Sequence, residues 1–242
     1  MQYSTFAAID IGSYDAILEI FEISKKQGIR SVDKICHRME LGKDTYTLGK
    51  IRPEMEEELC RVLADFVRIM EGYRVDAYRA MASSAISEAA NSLYVLGKIR
   101  QLTGLSVTVL SNSEQRFLGY KALAAMEDNF NKIIEKGTAI LDLDGGSFQI
   151  SLFDKDALVT TQNIRMGSLR IRERLAGIQS ETEHYEEMVE ELIWNEVSSF
   201  KKMYLKDRKI ENIMLIGDVF TDSVYQNIEE KTTKIISREN FN

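Results

Sequence analysis

The chain has 242 residues, 44% of them apolar and 29% charged, which is ordinary folded material and enough for one large domain or two small ones. Its formal charge of -7 argues against a broad nucleic-acid surface, since no extended cationic face is present to release counterions from a phosphate backbone. No apolar run reaches the length of a bilayer and Met1-Gln-Tyr-Ser-Thr leads straight into a strand, so no membrane partner and a cytoplasmic location are expected.

Phe6 to Phe21 reads as strand, turn, strand, with Asp10, Gly12 and Ser13 at the tip. After Gln27-Gly28 a third extended run covers Ile29 to Met39, and Leu41 to Lys50 reads as a polar loop with two glycines. Cys36 and Cys60 have no metal-like spacing and read as reduced packing residues, while His37 and His184 lie in unrelated contexts. Pro53 ahead of Glu54-Met-Glu-Glu-Glu opens a helix, whose buried face carries Met55, Leu59, Val62, Leu63, Phe66, Val67 and Met70 before Gly72 ends it. Val75 to Met81 is a strand. A single helix is expected from the Ser83-Ser84 cap to Gly104, then a strand at Val107 to Leu110 and a helix opened by Ser111-Asn-Ser-Glu.

The second half repeats the first. Thr138 to Phe153 is again strand, turn, strand, with Asp142, Asp144, Gly145, Gly146 and Ser147 at the tip. Asp-Gly between apolar runs is a common hairpin signal, but glycines can also place successive backbone N–H groups towards a phosphate, with Ser147 adding a hydroxyl and Asp142 holding a metal or a water. Strands at 138–143, 147–153 and 156–163 precede a long amphipathic helix over 183–204, a strand at Ile213 to Ile216, a short helix from Val219 to about Ile228 and a last strand at Thr232 to Ile236. On that helix Trp194 reads as packing, the paired glutamates 186–187 and 190–191 as a solvated face, and Lys201-Lys202 as cations at the negative dipole end.

Two copies of this pattern imply an internal duplication. The order resembles the actin, sugar-kinase and Hsp70 superfamily, which implies an α/β fold of two RNase-H-like lobes, 1–126 and a compact 127–242, with an interlobe cleft. More specifically, the chain resembles the exopolyphosphatase / guanosine pentaphosphate phosphatase (Ppx/GppA) family. The family's Ala-x-Asp-Leu-Gly-Ser-Asn-Ser is Ala8-Ile-Asp-Ile-Gly-Ser-Tyr-Asp15 here, and its Ala-Thr-Ser-Ala-x-Arg-Glu-Ala is Ala82-Ser-Ser-Ala-Ile-Ser-Glu-Ala89. Its Ile-Ser-Gly-x-Glu-Glu-Ala is Leu110-Ser-Asn-Ser-Glu-Gln-Arg116, and its Asp-Ile-Gly-Gly-Gly-Ser-x-Glu is Asp142-Leu-Asp-Gly-Gly-Ser-Phe-Gln149. Arg165-Met-Gly-Ser-Leu-Arg170 matches the segment after the third strand of the second copy.

The resemblance implies phosphate contacts from Gly12, Ser13, Ser84, Gly145, Gly146 and Ser147, Mg²⁺ held by Asp10, Asp142 and Asp144, and a polyphosphate or guanosine-polyphosphate ligand. The carboxylates that the family's chemistry would use are replaced by Gln115 and Gln149, and an amide positions a water without taking its proton. Glu114 is the adjacent carboxylate, turned about 100° from position 115 on a helix. Ser87 stands at a family arginine, and Asp15, Asp144 and Asp218 bring negative charge to family-neutral positions, Asp218 where the family has a glycine-rich phosphate loop.

Three functional expectations follow: a degenerate member that binds a phosphate ligand with hydrolysis lost or weak, an active Mg²⁺-dependent phosphoanhydride hydrolase, and a non-catalytic partner-binding protein. A superfamily kinase fits less well, because Ile216-Gly-Asp-Val-Phe is poor in the glycines of an adenosine site. A homodimer is the assembly left open.

Overall fold

The computed structural model describes residues 3–127, 129–177, 184–205 and 208–217, and the backbone of 234–237. It divides into two compact units, Met1–Gln115 and Arg116–Asn242. The helix expected over Val219 to Ile228, and Asp218, lie outside the described residues.

The first unit contains β1 (Ser4–Ile11), β2 (Asp15–Ser24), β3 (Gly28–Arg38), α1 (Leu41–Leu48), α2 (Pro53–Gly72), β4 (Ala77–Ala82), α3 (Ser84–Ser87), α4 (Ser92–Thr103) and β5 (Val107–Val109). Its sheet runs β3-β2-β1-β4-β5. The first three strands are antiparallel neighbours, whereas β4 and β5 join in parallel, as helical crossovers require. Alternation sets the core: Ala7, Ile9 and Ile11 of β1 and Ala16, Leu18 and Ile20 of β2 are fully buried, every second residue facing inward. Leu59, Leu63 and Phe66 of α2 and Val95 and Ile99 of α4 complete one continuous apolar core.

Two features of this unit depart from the sequence reading. The expected loop at 41–50 is largely the helix α1, because three consecutive polar side chains anchor it. Asp44, 2% exposed, accepts hydrogen bonds from the Arg52 backbone N–H and Nε, both at 2.9 Å. Thr45 donates to the Ala85 carbonyl at 2.6 Å, and the Tyr46 hydroxyl reaches two serines. The single helix expected from Ser84 to Gly104 is two helices. Asn91 separates them by pairing with both backbone groups of Ile51 and donating to Glu56, bonds a residue inside a continuous helix could not make so fully.

The second unit takes most of α5 (Asn112–Met126), then α6 (Phe130–Ile134), β6 (Thr138–Leu143), β7 (Phe148–Asp154), β8 (Ala157–Ile164), α7 (Ser168–Leu175), α8 (Tyr185–Tyr204), β9 (Asn212–Ile216) and β10 (Lys234–Ser237). Its sheet order, β8-β7-β6-β9-β10, reproduces that of the first unit, in keeping with a duplication. The copy is inexact at its end: β10 runs antiparallel to β9, whereas β5 runs parallel to β4. Helices α6 and α7 carry too few periodic apolar residues to stand out in the sequence.

Each face of this second sheet has a small apolar cluster. Ile140, Phe153 and Met214 pack with Leu123 of α5 and Phe130 and Ile134 of α6, the Tyr120 and Phe130 rings meeting Phe153 edge-on. Ile150, Leu152 and Ile164 form the other, with Phe200 of α8.

Candidate functional site

In the first unit, the turn between β1 and β2 is closed by the Gly12 N–H donating to the Asp15 carbonyl at 2.8 Å. The Ser13 carbonyl accepts from the Gly42 N–H, and the Tyr14 carbonyl accepts from Met39 and Glu40, each at 2.9 Å. A Cβ on Gly12 would sit 3.2 Å from the Asp15 carbonyl, a tight contact. Two of the three expected phosphate-binding serines, Ser13 and Ser84, are brought together here. Ser13, fully buried, lies 2.7 Å from the Tyr46 hydroxyl, and that hydroxyl lies 2.8 Å from Ser84 Oγ. Asp10 is exposed near the end of β1, and Asp15 is half-buried at the start of β2.

In the second unit, register places Asp142 of β6 directly opposite Gln149 of β7, and Gln149 opposite Asn163 of β8. Residues so opposed put their side chains on one face of a sheet. Gln149 is 7% exposed, and its Oε1 has no hydrogen-bond partner among the described residues. Burial pushes the Asp142 carboxyl up to about 6, with the charge of Asp144 adding to it. On the same face, Arg116 of α5 donates to Thr161 at 2.7 Å, Thr161 lies 3.1 Å from Ser151, and Tyr120 donates to Ser151 at 2.5 Å.

The glycine turn itself is tightly held. The Gly145 N–H donates to Asp144 Oδ1 at 2.5 Å, so an acidic side chain takes an amide that the sequence assigns to phosphate. The Asp144 N–H donates to the Ser147 carbonyl, and the Gly145 and Gly146 carbonyls accept from the N–H and Nε of Arg170. Gly145 and Gly146 are buried and Ser147 is half-buried. The segment leading into α7 closes over this turn, and a Cβ on Gly167 would run into the Asp144 carbonyl and Gly145. Gly217, at φ +121°, passes equally close to the Leu143 carbonyl. Arg170 thus has a role in shaping the turn, for which its spacing after the Met-Gly pair was the available signal.

Glu114 and Gln115 stand at the start of α5. Glu114 is exposed and closes a capping box: its carboxylate accepts from the Ser111 N–H at 2.9 Å and hydroxyl at 2.7 Å. These bonds hold its carboxyl below the usual range, which makes it a weaker base. Gln115 is half-buried and its N–H serves the Ser111 carbonyl. Among the described residues no three His, Cys, Asp or Glu side chains gather into a metal-binding group. Asp142 and Asp144 are nevertheless two coupled carboxylates, the number that Mg²⁺ commonly takes from protein beside water and phosphate oxygens.

Comparison with known proteins gives a consistent result. The sequence pattern of the Ppx/GppA phosphatase family matches residues 20–242. A bifunctional 3-dehydroquinate synthase/phosphatase of Fusobacterium nucleatum is 22% identical over 93% of this chain and 34% of its own length. Exopolyphosphatase 1 of Mycobacterium leprae is 25% identical over 59% of this chain and 41% of its own length. A crystal structure of an exopolyphosphatase from Cytophaga hutchinsonii superposes with a TM-score of 0.72 at 20% identity, covering 88% of this chain and 66% of that one. The chain therefore spans well under half the length of these curated relatives. At such identity the structural likeness speaks for the fold.

Proposed function

The chain belongs to the Ppx/GppA phosphatase family, and from that premise we propose that it binds a polyphosphate or guanosine-polyphosphate ligand with hydrolysis lost or weak. The observation that carries the reading is Gln149. It is an amide buried opposite Asp142, with its carbonyl oxygen unpaired among the described residues, at a position where the resemblance implies a carboxylate. Such a group positions a water or coordinates a cation, but takes no proton near neutral pH. Gln115 shares that limitation, and Glu114 is committed to its cap.

Asp142 and Asp144 would hold a divalent cation such as Mg²⁺. When bound, the ion would neutralise phosphate charge. The half-buried, like-charged Asp142–Asp144 pair fits that role, since its mutual repulsion is what a cation relieves.

Asp142 also favours a second reading, an active phosphoanhydride hydrolase. A carboxyl poised at about 6 is largely ionised at neutral pH yet basic enough to take a proton from an attacking water as the leaving phosphate departs.

The test is phosphate release from polyphosphate and from guanosine pentaphosphate with Mg²⁺, alongside ligand-induced shifts in melting temperature. The parent is expected to bind without turnover, and a Gln115→Glu, Gln149→Glu variant that keeps Asp142 and Asp144 to gain some. Parent turnover well above background that disappears in Asp142→Ala overturns the degenerate reading in favour of the second. Neither binding nor turnover would leave a partner-binding protein.

A further inference from the structure

Three hydroxyls stand in a row in the first unit: Ser13 Oγ, Tyr46 Oη and Ser84 Oγ, separated by 2.7 and 2.8 Å. They come from three different elements, the β1–β2 turn, α1 and α3. Tyr46 is the only one of the three on α1, a helix whose neighbouring residues Asp44 and Thr45 are themselves buried and bonded to Arg52 and Ala85.

Bonded head to tail, a row of three hydroxyls makes two bonds with two of its three protons and leaves one proton at an end. Ser13 is completely buried, and its neighbouring carbonyl is spent on Gly42. Ser84, with 9% exposure, is the end nearer solvent. An anion arriving at Ser84 selects the sense in which Ser13 donates to Tyr46, Tyr46 donates to Ser84, and Ser84 keeps its proton for a ligand oxygen. Successive bonds in one sense polarise each other and strengthen the terminal donor.

We propose that Tyr46 is the positioning residue of the phosphate-binding turn, fixing Ser13 and orienting the Ser84 hydroxyl as a donor to a phosphate oxygen of the ligand. This rests on the phosphate-ligand reading given above. It changes what Ser13 does: its side chain shapes the turn from within, and Ser84 is the serine that meets the ligand.

The experiment is calorimetric titration of tripolyphosphate into the parent, Tyr46→Phe, Ser84→Ala, the double variant and Thr45→Val, each checked for ligand-free melting temperature. Tyr46→Phe and Ser84→Ala should each weaken binding about tenfold, the scale of one good hydrogen bond to a charged group. The double variant should be no weaker than the worse single, since both remove the same donor. Thr45→Val deletes a buried hydrogen bond on the same helix without touching the row, and should leave affinity within about twofold. Unchanged affinity in Tyr46→Phe, additive losses in the double variant, or an equal loss in Thr45→Val would each overturn the assignment while leaving phosphate binding intact. If Tyr46→Phe does not fold, Ser13→Ala takes its place: it removes the donor that orients the Tyr46 hydroxyl and should weaken binding, and unchanged affinity there overturns the assignment. A parent that binds no tripolyphosphate removes the ligand reading, and the assignment with it.

Discussion

Asp142 and Gln149 face each other across β6 and β7, a half-buried carboxyl raised to about 6 against an amide whose Oε1 is buried without a partner among the described residues. The usual value of such a carboxyl is 3.8, so the folded protein holds this proton more tightly than the unfolded chain. The associated stability is fully present below about pH 4 and is lost as pH rises through about 6. In chelator-treated protein at pH 7.5, Asp142→Asn should therefore raise stability by about 2 kcal/mol. Urea unfolding across that pH range checks it: the parent profile falls between pH 4 and 6.5, and the variant profile is flatter.

Gln149→Glu places a second carboxylate against the first. Without metal it should cost on the order of 2 kcal/mol, since two buried like charges do not both ionise freely. With Mg²⁺ the loss should shrink, because an ion bound to the folded state stabilises it by mass action. Melting temperatures with and without millimolar Mg²⁺ read both effects.

The same substitution should act in opposite directions at two glycines. Gly167→Ala drives a Cβ into the Asp144 carbonyl and Gly145, backbone atoms that cannot swing aside, and should cost about 3 kcal/mol. Gly97→Ala, exposed in α4 with open space around it, should stabilise by about 1 kcal/mol. Chemical denaturation of the two variants is the measurement.

Asp44→Ala should cost about 3 kcal/mol, since Asp44 is almost wholly buried and satisfies both the N–H and the Nε of Arg52. Hydrogen exchange should show protection lost first at Thr45 to Leu48. Protection retained there would mean that α1 stands on its own propensity.

Ser111→Ala opens the capping box of α5 and should cost about 1 kcal/mol. It should also return the Glu114 carboxyl part of the way towards its ordinary range, because the Ser111 N–H, the larger of the two donors that hold it down, remains while the hydroxyl is lost. An NMR titration of Glu114 in parent and variant compares the two.

The sheets were legible because alternation and helical periodicity are local: the β1–β2 and β6–β7 hairpins and the α2 face follow from residues a few positions apart. What escaped is decided by distant partners. Asp44, Thr45 and Tyr46 look like loop residues until Arg52, Ala85, Ser13 and Ser84 are beside them. Asn91 breaks a helix through contacts with Ile51 and Glu56 that no periodicity encodes. Of the site, the residue types and their order could be read from the motifs. The inward turn of Ser13, the capture of the Gly145 amide by Asp144 and the clamp from Arg170 depend on side-chain direction and backbone approach.

The two copies of this fold are unequally filled. The first has one uninterrupted core that takes in Ala7, Ile9 and Ile11 of β1 and Ala16, Leu18 and Ile20 of β2, whereas the described part of the second has two separate, smaller clusters on opposite faces of its sheet. Cooperativity depends on that continuity, so calorimetry should resolve two transitions, with the second copy melting first. A ligand engaging the Asp142 turn would then lift only the lower transition and one engaging Tyr46 and Ser84 only the upper, so a single thermogram would locate where an unknown compound binds.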